Sequence, residues 1–408
     1  MSVDVRTRRD DRVTIVDPHA FVTESLSATL AAAADRLVRW VRLHDLRPLT
    51  IVVDDTDAVT LGVEIDRVVA RAGRSDGAAV LHLSGEQLGD LVADQVTPVG
   101  WMASGGLRWD GARFGDLLDW WLVLRAALDG TTPYVPGDID LVDPDGRPLD
   151  LQRGFRIDDD PDDMAQFLHT AGFLHLTGVF TGDEMATISH DMDRAAPGYA
   201  PGDGRSWWAR LHDGTDALVR MQRFEDESPC AASLLADERL VGLGRLTGDG
   251  HRPPSGVEAL FKPLGVAQGI SDIPWHKDCS LGRHSYLCSR MTVGISVTGA
   301  DAASGQLEVV AGSHRGLMWP APEVQPGIGL PVVPLATATG DCTVHLSCTL
   351  HRARPPVDRP RRVLYTDLSL PALDGGDDAA AAAGAARLRR IREAAPTTVS
   401  QPASTVGV

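Results

Sequence analysis

The stretch Trp275-His276-Lys277-Asp278, together with the later His351, decides the fold of this chain. Two imidazoles and one carboxylate can hold a metal ion from one side and leave its opposite positions open. This set of ligands is typical of non-haem Fe(II) centres. The prediction of a metal centre therefore depends on whether the surrounding sequence folds so that the three residues meet.

The residues on either side of this stretch have the pattern of short β-strands. Apolar and polar residues alternate through 290–297, as in a half-buried strand. Residues 305–314 indicate a turn, a short strand and a second turn, and further strands are predicted at 342–346 and 361–370. His351 lies just beyond one of them. Short strands with metal ligands at their edges predict a double-sheet jelly roll of the cupin type, in which the ligands converge at one mouth of the barrel.

Short motifs accompany these predicted strands. They are Ala171-Gly172-Phe173-Leu174, Trp275-His276-Lys277-Asp278, Gly305-Gln306-Leu307, Ala311-Gly312-Ser313-His314, Gly340-Asp341, His351 and Arg359-Pro360-Arg361-Arg362. Over residues of about 155 to 370, the motifs resemble those of the phytanoyl-CoA dioxygenase family of Fe(II)/2-oxoglutarate-dependent oxygenases. The resemblance implies that His276, Asp278 and His351 bind Fe(II), and that 2-oxoglutarate and O2 are the cosubstrates.

The resemblance also implies that an arginine on the last strand binds the distal carboxylate of 2-oxoglutarate. A planar guanidinium binds a carboxylate through two parallel charge-assisted hydrogen bonds, which lysine cannot match. Arg361 and Arg362 are both candidates, but neighbours on a strand point to opposite faces, so only one can reach the pocket. The Pro-Arg-Arg run favours Arg361 and the spacing from His351 favours Arg362; we favour Arg361. Lys262 and Gln268 are further candidates for contact with 2-oxoglutarate.

The carboxylate of Asp278 bears on the type of reaction. In related halogenases a small residue replaces it and frees a position for halide, so an acidic residue argues against halogenation. We expect hydrogen abstraction from an unactivated C–H bond of a small molecule, with hydroxylation as the default outcome. Desaturation, epoxidation or cyclisation could follow the same abstraction. A role in bacterial specialised metabolism is our hypothesis.

Other classes of protein are compatible with the same residues. A site with two histidines, one carboxylate and an open position can also bind zinc. Zinc binding there would make the protein a zinc-dependent hydrolase. Hydrolysis does not call for a carboxylate-binding arginine on the last strand, however. A lipid- or acyl-binding protein with a non-catalytic barrel is the other alternative, and the intact ligand set argues against it. In the least specific interpretation, the three residues are unrelated surface groups.

A segment dense in arginines and tryptophans precedes the metal motif. Such residues could bind an anionic or polar substrate near the mouth of the barrel, with a tryptophan as a flat wall. Equally, they could form a lid that packs on the sheet. The candidate substrate-binding residues are Trp207, Trp208, Arg210, Arg220 and Arg223.

The N-terminal part of the chain predicts a separate α+β domain. Helical spacing of apolar residues at about 24–43 is followed by strand-like runs and by a tryptophan-rich helix at about 114–128. The order of elements, with the segments Val80-Leu81-His82-Leu83-Ser84 and Gly105-Gly106-Leu107-Arg108-Trp109-Asp110-Gly111, resembles the sterol-carrier-protein-2-like fold. The resemblance implies an apolar ligand and delivery of a hydrophobic or carrier-tethered substrate. We favour the alternative, in which the tryptophans are core and the domain serves docking or dimerisation.

Composition limits the partners of the protein. The formal net charge of −17 argues against nucleic acid and anionic membranes as partners. The sequence has no apolar leader and no long apolar run, so we expect no membrane insertion. The five cysteines lack paired spacing, so we expect reduced thiols and a cytoplasmic location.

The predicted organisation is an N-terminal tail (1–19), the α+β domain (20–130), a linker (131–154), the jelly roll (155–370) and a disordered tail (371–408).

Overall fold

The computed structural model describes residues 17–269, 274–282 and 286–370. The predicted disordered tail at 371–408 and most of the predicted tail at 1–19 lie outside these residues. Within the described part of the chain, no helix is long and apolar enough to cross a membrane.

The first part of the chain packs helices against one five-stranded sheet. The helices are α1 (Pro18–Ala20), α2 (Leu26–Ala32), α3 (Ala34–Leu43), α4 (Gly85–Ala93), α5 (Pro98–Ala103) and α6 (Phe114–Asp129), with a π-helical turn at Phe21–Ser25. The strands are β1 (Leu49–Val53), β2 (Asp57–Glu64), β3 (Arg67–Ala72), β4 (Ala79–Leu83) and β5 (Arg108–Asp110). Their order is β3-β2-β1-β4-β5, in which only β1 and β4 run parallel. The α and β elements predicted for this region are therefore present.

Tryptophans fill the interior of this first domain. Trp40, Trp120 and Trp121 are at most 1% exposed, and Trp101 is also buried. The indole of Trp120 donates a hydrogen bond of 2.7 Å to the carbonyl of Arg47, so its one polar atom is satisfied inside the core. This burial favours the interpretation in which the tryptophans are core.

The second part of the chain contains two antiparallel sheets. Its helices are α7 (Pro161–Ala171), α8 (Gly182–Ala195), α9 (Pro229–Ser233) and α10 (Glu238–Val241). Its strands are β6 (Phe173–Leu176), β7 (Ser206–Leu211), β8 (Asp216–Met221), β9 (Glu258–Lys262), β10 (Val266–Gln268), β11 (Met291–Ser296), β12 (Leu307–Val310), β13 (Val332–Leu335), β14 (Cys342–Leu346), β15 (His351–Ala353) and β16 (Arg361–Leu368). The large sheet has the order β10-β7-β8-β9-β16-β11-β14-β6, and the small sheet has the order β13-β12-β15.

The two sheets and the helices α7 and α8 share one hydrophobic core. Val293 and Ile295 of the large sheet belong to it, as do Leu307 and Val309 of the small sheet. Side chains alternate between the faces of a strand, so Thr292 points away from Val293. The register places Thr292 opposite His345 on β14. The polar residues of the central strands therefore lie on one face of the large sheet, as a jelly roll with a polar mouth requires.

The first domain packs directly against the segment that follows Asp278. Thr97 donates hydrogen bonds from its hydroxyl to the carbonyl of Ser280 and from its backbone N–H to the carbonyl of Leu281, the latter at 3.2 Å. The indole of Trp319 donates to Asp119 on α6 at 2.9 Å. The domain interface thus lies within a few residues of the proposed metal ligands.

Candidate metal centre

His276, Asp278 and His351 converge in the structure. The backbone N–H and carbonyl groups of His276 and His351 bond to each other at 2.9 Å in both directions, and the N–H of Asp278 donates to Ser347 at 2.9 Å. One ligand atom from each of the three side chains lies within 4.8 Å of the others. The fold therefore brings together the three residues that the motifs identified as ligands.

Both imidazoles have their ε-nitrogens available for a metal. The Nδ1 of His276 bonds to the carbonyl of Pro274 at 2.8 Å, and the Nδ1 of His351 bonds to the carbonyl of Thr349 at 2.9 Å. Because a carbonyl only accepts, each Nδ1 carries the proton and each Nε2 keeps its lone pair. Such bonds to backbone carbonyls are how proteins orient metal-binding histidines.

The carboxylate of Asp278 is oriented by a threonine. The hydroxyl of Thr292 donates to Oδ2 of Asp278 at 2.6 Å. The other oxygen, Oδ1, lies 3.8 Å from Nε2 of His276 and 3.6 Å from Nε2 of His351. Oδ1 and the two ε-nitrogens therefore face one point.

Electrostatics favour the protonation states that a metal needs. Burial opposes ionisation of Asp278, but its interactions with His345, His351 and His276 outweigh burial and hold its pKa well below the ordinary value. Burial lowers the pKa of both His276 and His351, and each is lowered further by neighbouring histidines. A carboxylate and two neutral imidazoles are the forms that bind divalent cations. The donor set thus fits a non-haem Fe(II) ion with positions left open.

The adjacent arginines of β16 point to opposite faces of the sheet. The guanidinium of Arg362 donates to both carboxylate oxygens of Asp193, at 2.6 and 2.9 Å, and to the hydroxyl of Ser189 at 2.8 Å, so it is bound to helix α8. Arg361 is 4% exposed and pairs in register with Lys262. The alternative that Arg362 binds 2-oxoglutarate is not supported, because its guanidinium is already held on the helix side of the sheet.

Lys262 and Gln268 occupy different environments. Lys262 is buried on the same face as Arg361, since directly paired residues of an antiparallel sheet share a face, and its ammonium donates to the carbonyl of Arg354 at 3.0 Å. Gln268 is exposed on β10, at the edge of the large sheet, where it pairs with Arg210. This position does not support the predicted contact of Gln268 with the cosubstrate.

Two of the predicted substrate-binding residues lie beside the metal centre. The Arg220 guanidinium stacks over the ring of Trp207, 4.3 Å from its centroid, and forms an ion pair with Glu258. Burial lowers the pKa of Arg220 to about 10, and the nearby Tyr365 and Asp278 oppose that shift. Arg220 and Trp207 therefore form part of the wall next to Asp278.

The other three predicted residues of this group lie elsewhere. The indole of Trp208 donates to the hydroxyl of Ser206 at 2.8 Å and packs against the shared core. Arg210 pairs with Asp216, and Arg223 pairs with Asp226 at 2.7 Å on the surface. The structure thus places Trp208, Arg210 and Arg223 in local contacts, which give no support to their predicted role in substrate binding.

His345 and Thr292 complete the site, and neither was among the predicted site residues. His345 is 1% exposed, and its Nε2 lies 3.5 Å from Oδ2 of Asp278. Its ring centroid is 4.0 Å from that of His351. The period-two alternation of their strands could have placed both residues on the polar face, but it contains no information on their distance from Asp278.

The comparison with known families agrees with this geometry. Residues 168–363 match the phytanoyl-CoA dioxygenase (PhyH) family, which is just under half of the 408 residues. No curated protein matches the chain.

Solved structures are similar to the second half of the chain. AviO1 from Streptomyces viridochromogenes Tue57 is 24% identical with a TM-score of 0.43, over 53% of this chain and 98% of AviO1. The epimerase SnoN from nogalamycin biosynthesis, in complex with Fe3+, alpha-ketoglutarate and nogalamycin RO, is 20% identical with a TM-score of 0.41, over 51% and 82% of the two chains. EctD from S. alaskensis with 2-oxoglutarate and 5-hydroxyectoine is 17% identical with a TM-score of 0.44, over 58% and 86%. These likenesses concern the fold alone.

The family match confirms the predicted class of enzyme and its cofactors, Fe(II), 2-oxoglutarate and O2. The resemblance of the first domain to sterol-carrier-protein-2 stays a prediction. Residues 168–363 are thus similar to the phytanoyl-CoA dioxygenase family, and the chain is a non-haem Fe(II)/2-oxoglutarate-dependent enzyme.

Proposed function

We propose that His276, Asp278 and His351 hold Fe(II), and that the enzyme oxidises an unactivated C–H bond of a small molecule. The observation that carries this proposal is the convergence of Oδ1 of Asp278 with the two ε-nitrogens, while each Nδ1 is bound to a backbone carbonyl. When bound there, iron supplies hydrogen abstraction coupled to the oxidative decarboxylation of 2-oxoglutarate to succinate. The task of the chain is to position the reactants and exclude water.

Arg361 is our candidate for binding the distal carboxylate of 2-oxoglutarate. It is buried, and Lys262 lies directly opposite it in the neighbouring strand. Two cationic side chains on one buried face favour a dianion over a neutral molecule. The bidentate geometry of a guanidinium then orients the cosubstrate along one direction, which lysine alone would not do.

The wall formed by Arg220 and Trp207 suggests how substrate is recognised. The ion pair with Glu258 balances the charge of Arg220, so this wall presents a planar aromatic and polar surface rather than a strong positive charge. We infer that the substrate is a polar small molecule with a flat or ring-shaped part. Hydroxylation is the default outcome; desaturation, epoxidation or cyclisation would use the same binding residues. A place in bacterial specialised metabolism remains our hypothesis, which identification of the product would test.

We infer that the first domain serves docking. Its interior is filled by buried tryptophans, and Thr97 binds the backbone of Ser280 and Leu281, just after Asp278. These contacts support a domain that holds the metal-binding segment in place. Delivery of a hydrophobic or carrier-tethered substrate by a sterol-carrier-protein-2-like domain is the alternative. It predicts that the domain binds an apolar probe.

An anaerobic titration of the metal-free protein with Fe(II) and 2-oxoglutarate tests the centre. We expect the visible charge-transfer band of the iron chelate in the parent protein and its loss in His276→Ala. In Arg361→Ala, a higher concentration of 2-oxoglutarate should be needed to form the band. Arg362→Ala is the matched control, because it removes the neighbouring guanidinium from the helix side of the sheet. A parent protein that forms no band, or that retains zinc and hydrolyses substrate without 2-oxoglutarate, contradicts the proposal.

A further inference from the structure

Three of the five cysteines lie together, and two of them are within three residues of a proposed iron ligand in the sequence. The sulfur atoms of Cys279, Cys288 and Cys348 are within 4.8 Å of one another, and these residues are 7%, 1% and 0% exposed. They come from three segments of the chain: the position after Asp278, the loop before β11 and the loop between β14 and His351. We propose that this three-cysteine cluster is a second metal site, for a thiophilic ion of the Zn²⁺ type, distinct from the iron centre.

The spacing of the sulfur atoms fits one shared ion. A Zn–S bond is about 2.3 Å long, so two sulfurs on a tetrahedral ion are about 3.8 Å apart and cannot exceed about 4.6 Å. Sulfurs that lie within 4.8 Å of one another therefore need only a small movement to bind. Thiolates select zinc or Cu(I) over the harder ions that carboxylates and carbonyls prefer, so the cluster favours a softer ion than Fe(II).

The backbone holds the three segments together without a metal. The N–H of Asp278 donates to the carbonyl of Ser347 at 2.9 Å, and the N–H of Ser347 donates to the carbonyl of Arg290 at 2.7 Å. The N–H of Gly282 closes a turn onto the carbonyl of Cys279 at 3.2 Å. The three sulfurs are therefore positioned by strand and turn hydrogen bonds, which reduces the ordering that metal binding would otherwise require.

The charges near the cluster suit a divalent ion. Three buried thiolates need compensating positive charge. The ammonium of Lys277 is buried, interacts electrostatically with Cys348 and Cys279, and donates to the carbonyl of Ser313 at 3.3 Å. Arg290, which also interacts with Cys279, is already paired with Asp367 at 2.7 Å. The two charges of a divalent ion then offset two of the three thiolates. Each thiol releases one proton to solvent as its sulfur binds, and no group is oxidised or reduced.

The position of the cluster gives it a structural role. Cys279 follows Asp278 immediately, and Cys348 lies three residues before His351. An ion held by these cysteines would fix two of the segments that carry the proposed iron ligands. The competing interpretation is that three thiols pack beside Leu370 as small apolar side chains, with no metal.

Cobalt binding to the full chain tests the second site. We would strip metal from His276→Ala under reducing conditions, so that the iron ligands are incomplete, and titrate it with Co²⁺. We expect one tightly bound ion with sulfur-to-cobalt charge-transfer absorption, which nitrogen and oxygen ligands do not give, and displacement of that ion by Zn²⁺. Adding Cys288→Ser, the cluster position farthest in sequence from an iron ligand, should abolish the absorption. Adding Cys342→Ser, another buried cysteine outside the cluster, should leave it unchanged.

A second measurement uses the unaltered protein, so that it does not depend on how the variants fold. After loading with Zn²⁺ and removal of excess ion, titration with a mercurial should release about one zinc per chain as the cluster thiols react, detected with a zinc-binding dye. Absence of the charge-transfer absorption in His276→Ala, or its survival in the Cys288→Ser variant, overturns the second site. Failure to release any zinc as the cluster thiols react does so too. Each of these results leaves the iron proposal untouched.

Discussion

His276 and His351 exchange both of their backbone hydrogen bonds, each with an N–O distance of 2.9 Å, although they are far apart in sequence. Directly opposed residues of an antiparallel pair project their side chains to the same face. The two imidazole rings consequently lie side by side, with centroids 4.2 Å apart. The relative position of the two histidine ligands is therefore set by an antiparallel backbone bridge.

The hydrogen bond from Thr292 to Asp278 should contribute to iron affinity. Thr292→Val keeps the shape of the side chain but removes the 2.6 Å bond that directs Oδ1 toward the imidazoles. Loss of such a supporting contact weakens metal binding by roughly 10- to 100-fold. Anaerobic Fe(II) titration measures the affinity. Thr366→Val is the control, because that threonine bonds to the carbonyl of Gly256 on the other face of the sheet. Equal affinities of Thr292→Val and the parent protein would show that Asp278 is oriented by other groups.

The two arginines of β16 should give opposite results. Arg361→Lys keeps the charge but loses the bidentate geometry, so we expect the KM for 2-oxoglutarate to rise by roughly 10-fold or more. Arg362→Ala should leave that KM unchanged. Asp193 is largely exposed, and partly exposed ion pairs contribute about 1 kcal/mol or less, so the cost in unfolding free energy should be small. Steady-state kinetics with varied 2-oxoglutarate would decide, and a KM effect confined to Arg362→Ala would reverse our assignment.

The sequence allowed the strands of the second domain to be predicted because they depend on local patterns, and the family resemblance identified the candidate metal ligands. His276 and Asp278 are close in sequence, and strand alternation identified the faces around β11. Contacts set by long-range pairing were not accessible in this way. A shift of strand register between Trp207 and Trp208 changes which residues face the interior, and no period-two pattern reveals such a shift.

The cysteine cluster is a clearer case of a contact that local sequence patterns could not predict. No paired spacing connects Cys279, Cys288 and Cys348, so the sequence predicted only reduced thiols. They meet because three loops converge beside the pairing of His276 with His351. The contact of Thr97 with Ser280 was equally inaccessible, since it depends on how two domains pack.

The buried His314 should make the folded state sensitive to acid. Burial lowers the pKa of His314 to about 3, while its Nε2 bonds to the carbonyl of His169 at 2.9 Å. In the unfolded chain a histidine titrates near about 6.5, so between these values the unfolded state binds the extra proton. The contribution of His314 to stability is therefore complete above about pH 6.5 and declines as the pH falls toward 3.

Urea unfolding at a series of pH values measures this effect. The free energy of unfolding should fall less steeply with acid in His314→Gln than in the parent protein, once the cost of the substitution at neutral pH is subtracted. His190→Gln is the control, because His190 is exposed on α8. Parallel pH profiles for the parent protein and His314→Gln would mean that His314 is not kept neutral by the fold.

Contact between the domains should depend on Gly100 in α5. A methyl group at this position would clash with the carbonyl oxygen of Leu281, in the segment that follows Asp278. Alanine normally stabilises a helix relative to glycine by up to about 1 kcal/mol. The clash must therefore cost more than this gain for Gly100→Ala to lower the free energy of unfolding. We expect Gly100→Ala to lower the free energy of unfolding by about 1–3 kcal/mol and to weaken Fe(II) binding, because relief of the clash displaces the metal-binding segment. Gly62→Ala is the control, since a methyl group there meets no atom within 4 Å. If Gly100→Ala left both quantities at parental values, the first domain would not be holding that segment in place.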